Sequence, residues 1–324
     1  MKIKLSVLSA LLLSCGLGHA ASLPQGSGSF EFVVPQTQKK MEVFTYQPPG
    51  ANAQTPVVFI LAGLNRDADK YRDSWVENAT KNKLIVIAPR YSEKDYPGND
   101  GYNLGNLVNA KTGKVNPRGE WAFTVIDDLF ANLQKQGITQ QKEYYLFGNS
   151  AGCQFAHRML TFVPEAKVKA AMCAAAGWWT MPDIENPWPY GLDGAPVDVT
   201  QKQLADYFAQ PVLITVGSKD NDPYHPLLRR SYAAMTQGDS RLTRAETYFL
   251  TAKQKAKRYK VPFNWEFTTL KGVGHNGEKM SAYGAEQFAW FEQHGKFKTQ
   301  EEQETRKEGS DESKNKDEAT GEVN

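Results

Sequence analysis

Cysteine is scarce in this chain: three among 324 residues, at positions 15, 153 and 173. If Cys15 leaves with an N-terminal leader, only one intramolecular pair remains to be made. An excess of one charge sign is also missing, with 38 basic residues against 36 acidic ones. Nothing in that balance points to nucleic acid or to strong attraction for an anionic membrane. No apolar run is long enough to span a bilayer; the stretch from Leu5 to Leu13 falls well short. Internal repeats and long Gly/Ser/Pro linkers are absent too, which leaves one large folded unit as the expectation.

The termini read as something other than fold. "MKIKLSVLSALLLSCGLGHA" places Lys2 and Lys4 before the apolar run, and Gly18-His19-Ala20 fits a cleavage site. The implied destination is outside the cytoplasm, periplasmic or secreted. Leu12-Leu13-Ser14-Cys15 offers a second processing route, resembling a lipoprotein signal that leaves an acylated, membrane-anchored Cys15. Residues 298–324 mix both charges with almost no apolar side chain. Such a segment cannot bury enough surface to offset its ordering entropy, so a disordered tail is expected. The folded domain is therefore expected over residues 27–297. Cys153 and Cys173 within it read as two small buried hydrophobes or, in an oxidising compartment, as a disulfide.

Within the domain, apolar strand-like runs alternate with helix-like stretches. Ser29–Pro35 and Met41–Pro48 read as a hairpin. Pro56–Gly63, Lys83–Pro89, Glu143–Gly148, Val168–Gly177 and Pro211–Gly217 are nearly continuous apolar runs, and Phe263–Leu270 closes the series. Continuous rather than alternating apolar strands are those covered by helices on both faces, as in a parallel sheet. Amphipathic candidates lie between them at Asp69–Asn82, Trp121–Lys135, Cys153–Phe162, Pro226–Thr236 and Met280–Gln293. The alternation predicts a doubly wound α/β fold with a mixed sheet of about eight strands. Ligands in such sheets bind at the carboxyl ends of the strands.

Three of those ends carry reactive groups. The run "EYYLFGNSAGCQF" stops on Ser150, with Gly148 and Gly152 two residues away on either side. Gly-x-Ser-x-Gly between a strand and a helix suits a nucleophile in a sharp bend, because the glycines let strand and helix approach closely. The bland alternative makes Ser150 an N-cap with two turn glycines. A serine hydroxyl needs a base, and five histidines are present. His19 belongs to the leader, His157 lies two turns along the same helix and reads as a packing residue, and His294 ends the last helix. His275, in "GVGHNG" after the last strand, has the freedom to project over the sheet edge. The chain order serine, acid, histidine then puts the acid in "PVLITVGSKDND", as Asp220 or, alternatively, Asp222. Its task is to accept from the far imidazole nitrogen and stabilise the imidazolium. Asp220, Asp222 and His225 also resemble a cation site, but no further ligand types cluster with them. Two amides should face the developing oxyanion: that of Ala151, directly after the serine, and that of Leu64, after the turn glycine Gly63.

"AGLNRDADKYRD", "FGNSAGCQFAHRM", "VGSKDND" and "VGHN", in this order and spacing, resemble an α/β-hydrolase. Within that superfamily the chain is similar to secreted esterases of the polyhydroxybutyrate-depolymerase and feruloyl-esterase type. The likeness runs from about Phe30 to Phe291, and only the motif blocks are specific. Many relatives have His-Gly in the oxyanion loop where this chain has Ala62-Gly63. The resemblance implies a serine esterase without metal or cofactor, acting on a small-molecule or oligomeric ester by a Ser150–His275–Asp220 triad through an acyl-enzyme. Trp178, Trp179, Trp188 and Tyr190, in "GWWTMPDIENPWPYGL", are expected either to flank a hydroxyalkanoate or aromatic acyl group or to cover the sheet edge as core. The segment from Tyr91 to Glu120 either rims the cleft or packs on the surface. Two other functions use the same scaffold: an acyltransferase or peptidase with this triad, and a non-catalytic binding protein.

Overall fold

The computed structural model describes residues 23–299. The leader expected over residues 1–20, with Cys15, lies outside the described residues, as does the expected tail beyond its first two positions. The chain enters as β1 (Gly26–Val33) and β2 (Lys40–Gln47), followed by β3 (Val57–Leu61), α1 (Ala68–Asn82), β4 (Ile85–Pro89) and the single turn α2 (Gly98–Gly101). It continues through α3 (Val125–Lys135), β5 (Tyr144–Asn149), α4 (Ala151–Phe162), β6 (Val168–Ala174), α5 (Gln201–Ala209) and β7 (Val212–Gly217). The single turn α6 (Tyr232–Met235), α7 (Arg241–Tyr259), β8 (Trp265–Leu270) and α8 (Gly277–His294) complete it. One eight-stranded sheet runs in the order β1-β2-β4-β3-β5-β6-β7-β8. β2 pairs antiparallel with β1 and with β4, and every other pairing is parallel.

The continuous apolar runs have the cause expected of them. All residues of β3, β4, β5 and β7 are buried. Along β3, Val57, Phe59 and Leu61 enter the core shared with α3, α4, α5 and α7, whereas Val58 and Ile60 enter the core under α1 and α8. Successive side chains point to opposite faces, so a strand between two helical layers has no polar side to display.

Two helices differ from expectation. The helix expected over Pro226–Thr236 is only the single turn α6, and the long helix between β7 and β8 is the nineteen-residue α7 that follows it. Its buried stripe consists of Arg241, Arg244, Ala245, Tyr248, Ala252 and Ala256. Alanines and arginine stems give little hydrophobic contrast, so the 3.6-residue period is faint in the sequence. The nine-residue α5 was also not apparent. Because β3 and β5 to β8 are parallel, the segments leaving their carboxyl ends all emerge on one edge of the sheet.

Candidate active site

At the centre of that edge β5 turns into α4 at Ser150. The serine has φ 56° and ψ −114°, a conformation costly for a residue with a Cβ and kept only where its surroundings enforce it. Its N–H donates to the Ala174 carbonyl at 2.8 Å, tying the bend to the end of β6. A Cβ on Gly148 would overlap the Gly152 carbonyl, and one on Gly152 would overlap the Leu61 carbonyl. Both glycines are therefore required by close approach, the first of strand to helix and the second of helix to β3.

His275 lies on the loop between β8 and α8. Its Nδ1 is 2.8 Å from Asp220 Oδ2, and Asp220 is buried whereas His275 is half-buried. The loop crosses the end of β7, because a Cβ on Gly217 would collide with the Val273 carbonyl. The other Asp220 oxygen accepts from Arg241 NH1 at 3.1 Å. Burial works against the ionised carboxyl, but the hydrogen bond and charge of His275, with those of Arg241, hold Asp220 below the usual carboxylate range. Asp222 is exposed, and its Oδ1 accepts from the Tyr224 N–H at 2.9 Å. It braces the loop and does not reach the histidine. Among the described residues no acidic cluster with His225 forms a cation site; the His225 ring instead receives the Leu227 N–H at 3.2 Å on Nδ1.

No hydrogen bond joins Ser150 Oγ to His275 among the described residues. Such contacts are often long until substrate tightens them. The proximity of the two loops is fixed by their neighbours. A Cβ on Gly277, two residues after His275, would lie 3.2 Å from Asn149 Nδ2, the residue before the serine, and 3.2 Å from the Tyr71 hydroxyl. Asn149 Nδ2 itself donates to the Tyr71 hydroxyl at 2.8 Å. A Cβ on Gly63 would lie 2.9 Å from the same hydroxyl. Tyr71, in the first turn of α1, thus touches the serine bend, the histidine loop and the loop after β3 at once. Burial raises its pKa, with the Asn149 donor opposing, so the phenol stays protonated at neutral pH.

Leu64 and Ala151 carry the two amides expected to face an oxyanion, and neither N–H has an acceptor among the described residues. The loop bearing Leu64 is held although Ala62 stands where many relatives have histidine. Tyr102 Oη donates to the Ala62 carbonyl at 2.8 Å. The Arg66 guanidinium lies 4.2 Å from the Tyr102 ring centroid and donates to the Tyr91, Tyr96 and Gly98 carbonyls. The first part of the segment from Tyr91 to Glu120 is therefore an internal support, with Tyr91, Tyr96 and Tyr102 buried and Tyr91 and Tyr102 packed on Phe155 of α4, whereas residues 109–115 lie on the surface.

Of the two roles expected for the aromatic segment after β6, its packing fits cover of the sheet edge as core. Trp179 is fully buried, stacked on Tyr248 of α7 at 4.1 Å and facing His157 at 5.0 Å. Trp188, half-buried, packs on Phe162, the last residue of α4, about 18 Å along that helix from the serine. Trp178 and Tyr190 are also buried, against each other and beneath the Arg229 guanidinium. His157 packs as expected: its Nδ1 contacts the Cys153 carbonyl at 2.9 Å and its Nε2 accepts from the Thr180 N–H at 3.1 Å. Cys153 and Cys173, left open by the sequence, are joined as a disulfide between α4 and β6.

Sequence reasoning did not identify Tyr71, Tyr102 or Arg241. Tyrosines in amphipathic or loop segments carry no distinguishing pattern. The start of α7 did leave a signal in Ser240 and Thr243, a reciprocal capping box.

The Esterase family model matches residues 35–267. Poly(aspartic acid) hydrolase-1 from Sphingomonas sp. KT-1 is 35% identical, with 83% of this chain and 100% of that chain covered and a TM-score of 0.78. LpqC, a poly(3-hydroxybutyrate) depolymerase from Bordetella parapertussis, is 33% identical, with 88% and 94% covered and a TM-score of 0.77. The S-formylglutathione hydrolase of Agrobacterium tumefaciens is 16% identical over 82% of this chain and 93% of its own, with a TM-score of 0.54, a likeness of fold alone. No curated protein sequence matches the chain.

Proposed function

The chain belongs to the Esterase family and has the α/β-hydrolase fold, which makes it a carboxylic ester hydrolase, and from that premise we propose that it is an exported serine esterase working through Ser150, His275 and Asp220. The observation that carries the reading is the 2.8 Å contact of His275 Nδ1 with the buried Asp220 carboxylate, on a loop that packs against the residue preceding Ser150.

In this mechanism Ser150 Oγ attacks the ester carbonyl as His275 Nε2 accepts its proton. Asp220 fixes the Nδ1–H tautomer and stabilises the imidazolium. The amides of Leu64 and Ala151 hold the oxyanion, aided by the N-terminal dipole of α4. The imidazolium protonates the departing alcohol, and a water deprotonated by the same imidazole then releases the acid and regenerates Ser150. Hydroxyalkanoate esters, in small or oligomeric form, are the proposed substrates. The likeness to LpqC supports that class, and the full burial of Trp179 against Tyr248 takes one of the four aromatics away from an aromatic acyl group. The likeness to a poly(aspartic acid) hydrolase favours one alternative specifically, cleavage of amide bonds by the same triad.

Export is proposed from residues 1–20, with cleavage near Ala20 or acylation of Cys15 as the two routes and the periplasm or the medium as destination. The Cys153–Cys173 disulfide is consistent with an oxidising compartment. Ser150→Ala is expected to lower turnover of p-nitrophenyl acyl esters by about 10⁴-fold or more, and a fluorophosphonate should label the native protein at Ser150. Undiminished hydrolysis by the variant would overturn the mechanism, and absent labelling would favour a binding protein. Parallel assays on 3-hydroxybutyrate oligomers and poly(aspartic acid) separate ester from amide cleavage.

A further inference from the structure

Asp220 is shared between a histidine and an arginine. One oxygen meets His275, and the other meets Arg241 NH1 at 3.1 Å. Arg241 is 2% exposed, so this ion pair has little water to screen it. Its NH2 reaches His225 Nδ1 at 3.4 Å, and the His225 ring stands edge-on to His275 with centroids 5.7 Å apart. Nδ1 of His225 also receives the Leu227 N–H, so that nitrogen is an acceptor and the guanidinium can donate to it. A second tie lies in the backbone: Leu242 N–H donates to the Asp220 carbonyl at 3.1 Å. The first turn of α7 therefore grips the acid loop through main chain and side chain together.

We propose that Arg241 is a positioning residue for the Asp220–His275 pair, setting the plane of the carboxylate, opposing its protonation, and anchoring His225 beside the histidine loop. The inference rests on the triad reading above. A planar guanidinium with fixed donors constrains a carboxylate's orientation in a way that a single flexible ammonium does not. With Oδ1 occupied by Arg241, Oδ2 alone is presented to His275, so the imidazole is held in one orientation. The charged and titratable groups tied to His275 are Asp220, which bonds it, His225, whose ring faces it, and Arg241 of α7, which bonds Asp220; Asp222 acts on His225 and Arg244 on Arg241. Removing this cation favours the protonated form of Asp220, so the acid limb of kcat/KM should move to higher pH.

The test compares Arg241→Gln and Arg241→Lys with the full-length wild type, using a p-nitrophenyl ester across pH 5–9, with circular dichroism of each variant. Arg241→Gln is expected to lower kcat about tenfold or more, leave KM within about twofold, and raise the acid limb by about one pH unit. Arg241→Lys, which keeps the charge and loses the fork, should retain the wild-type limb and recover part of kcat. If Arg241→Gln does not fold, Arg241→Lys decides alone: a kcat reduced at least threefold at unchanged KM and unchanged limb supports the proposal, and wild-type kcat overturns it. An unmoved limb in folded Arg241→Gln, or equal losses in both variants, also overturns it. Asp220→Asn serves as the control. If that variant keeps full activity, the triad reading itself fails; if it is impaired while Arg241→Gln is not, only the role of Arg241 fails.

Discussion

Tyr71 is the residue at which three otherwise separate loops meet. Its oxygen accepts from Asn149 beside the serine and sits close to Gly63 and Gly277. In Tyr71→Phe the Asn149 amide loses its acceptor in a largely enclosed position, which costs about 1–3 kcal/mol where no water can substitute. The functional effect should exceed the effect on binding, because what the phenol aligns is backbone and nucleophile, not the acyl group. The expected outcome is a kcat lowered about tenfold with KM little changed, measured by steady-state hydrolysis of a p-nitrophenyl ester. Wild-type kcat in this variant would show that the bend and the oxyanion loop hold their places unaided. The chain thus has its own solution to the alanine at position 62: tyrosines from α1 and from the segment after β4 brace a loop that carries no histidine.

At the scale of elements, α4 depends on a buried histidine that takes no part in the proposed chemistry. His157 is fully buried and bridges the Cys153 carbonyl to the Thr180 N–H. Burial first, and the neighbouring Arg158 charge second, hold its pKa well below the ordinary value. The unfolded chain takes up a proton there below about pH 6.5 and the folded chain does not. Stability is therefore complete above that pH and declines as pH falls through it. Between pH 7 and pH 5 this one group should remove about 2 kcal/mol of unfolding free energy. Urea unfolding at both pH values should show the wild type losing that much more than His157→Gln; equal losses would remove His157 from the account. The same helix shows what could be read in advance. The strands β3 to β7 were legible because each is a nearly unbroken apolar run, and Ser150, Asp220 and His275 because each follows a strand-like run after a glycine. α7 was not legible: its inner face is made of three alanines, two arginines and one tyrosine, which look in sequence like a solvated surface. Arg241 was hidden for the same reason, since only the fold reveals that a charged residue at a helix start faces a buried carboxylate.

For the whole molecule, compartment and stability are linked through one covalent tie. Cys153 and Cys173 join α4 to β6 across twenty positions of chain, the region that contains the serine bend's helix and its neighbouring strand. Closing a loop of that length in the unfolded chain corresponds to about 3 kcal/mol on the chain-entropy account, and both sulfurs lie where no solvent thiol reaches them in the folded state. The bond should therefore resist reductant until the protein opens. An exported chain gains this tie, and the same chain held in a reducing cytosol does not. The double variant Cys153→Ala/Cys173→Ala is expected to fold with its active site formed, to hydrolyse esters at 25 °C at a rate within a few-fold of wild type, and to melt about 5–10 °C lower. Wild-type protein made without residues 1–20 in a reducing host should melt low as well, and should regain the difference on oxidation in vitro. Calorimetry of the three preparations decides the matter: a common melting temperature would mean that the two cysteines contribute only as small packed side chains, and that the stability of the fold is independent of where the chain is sent.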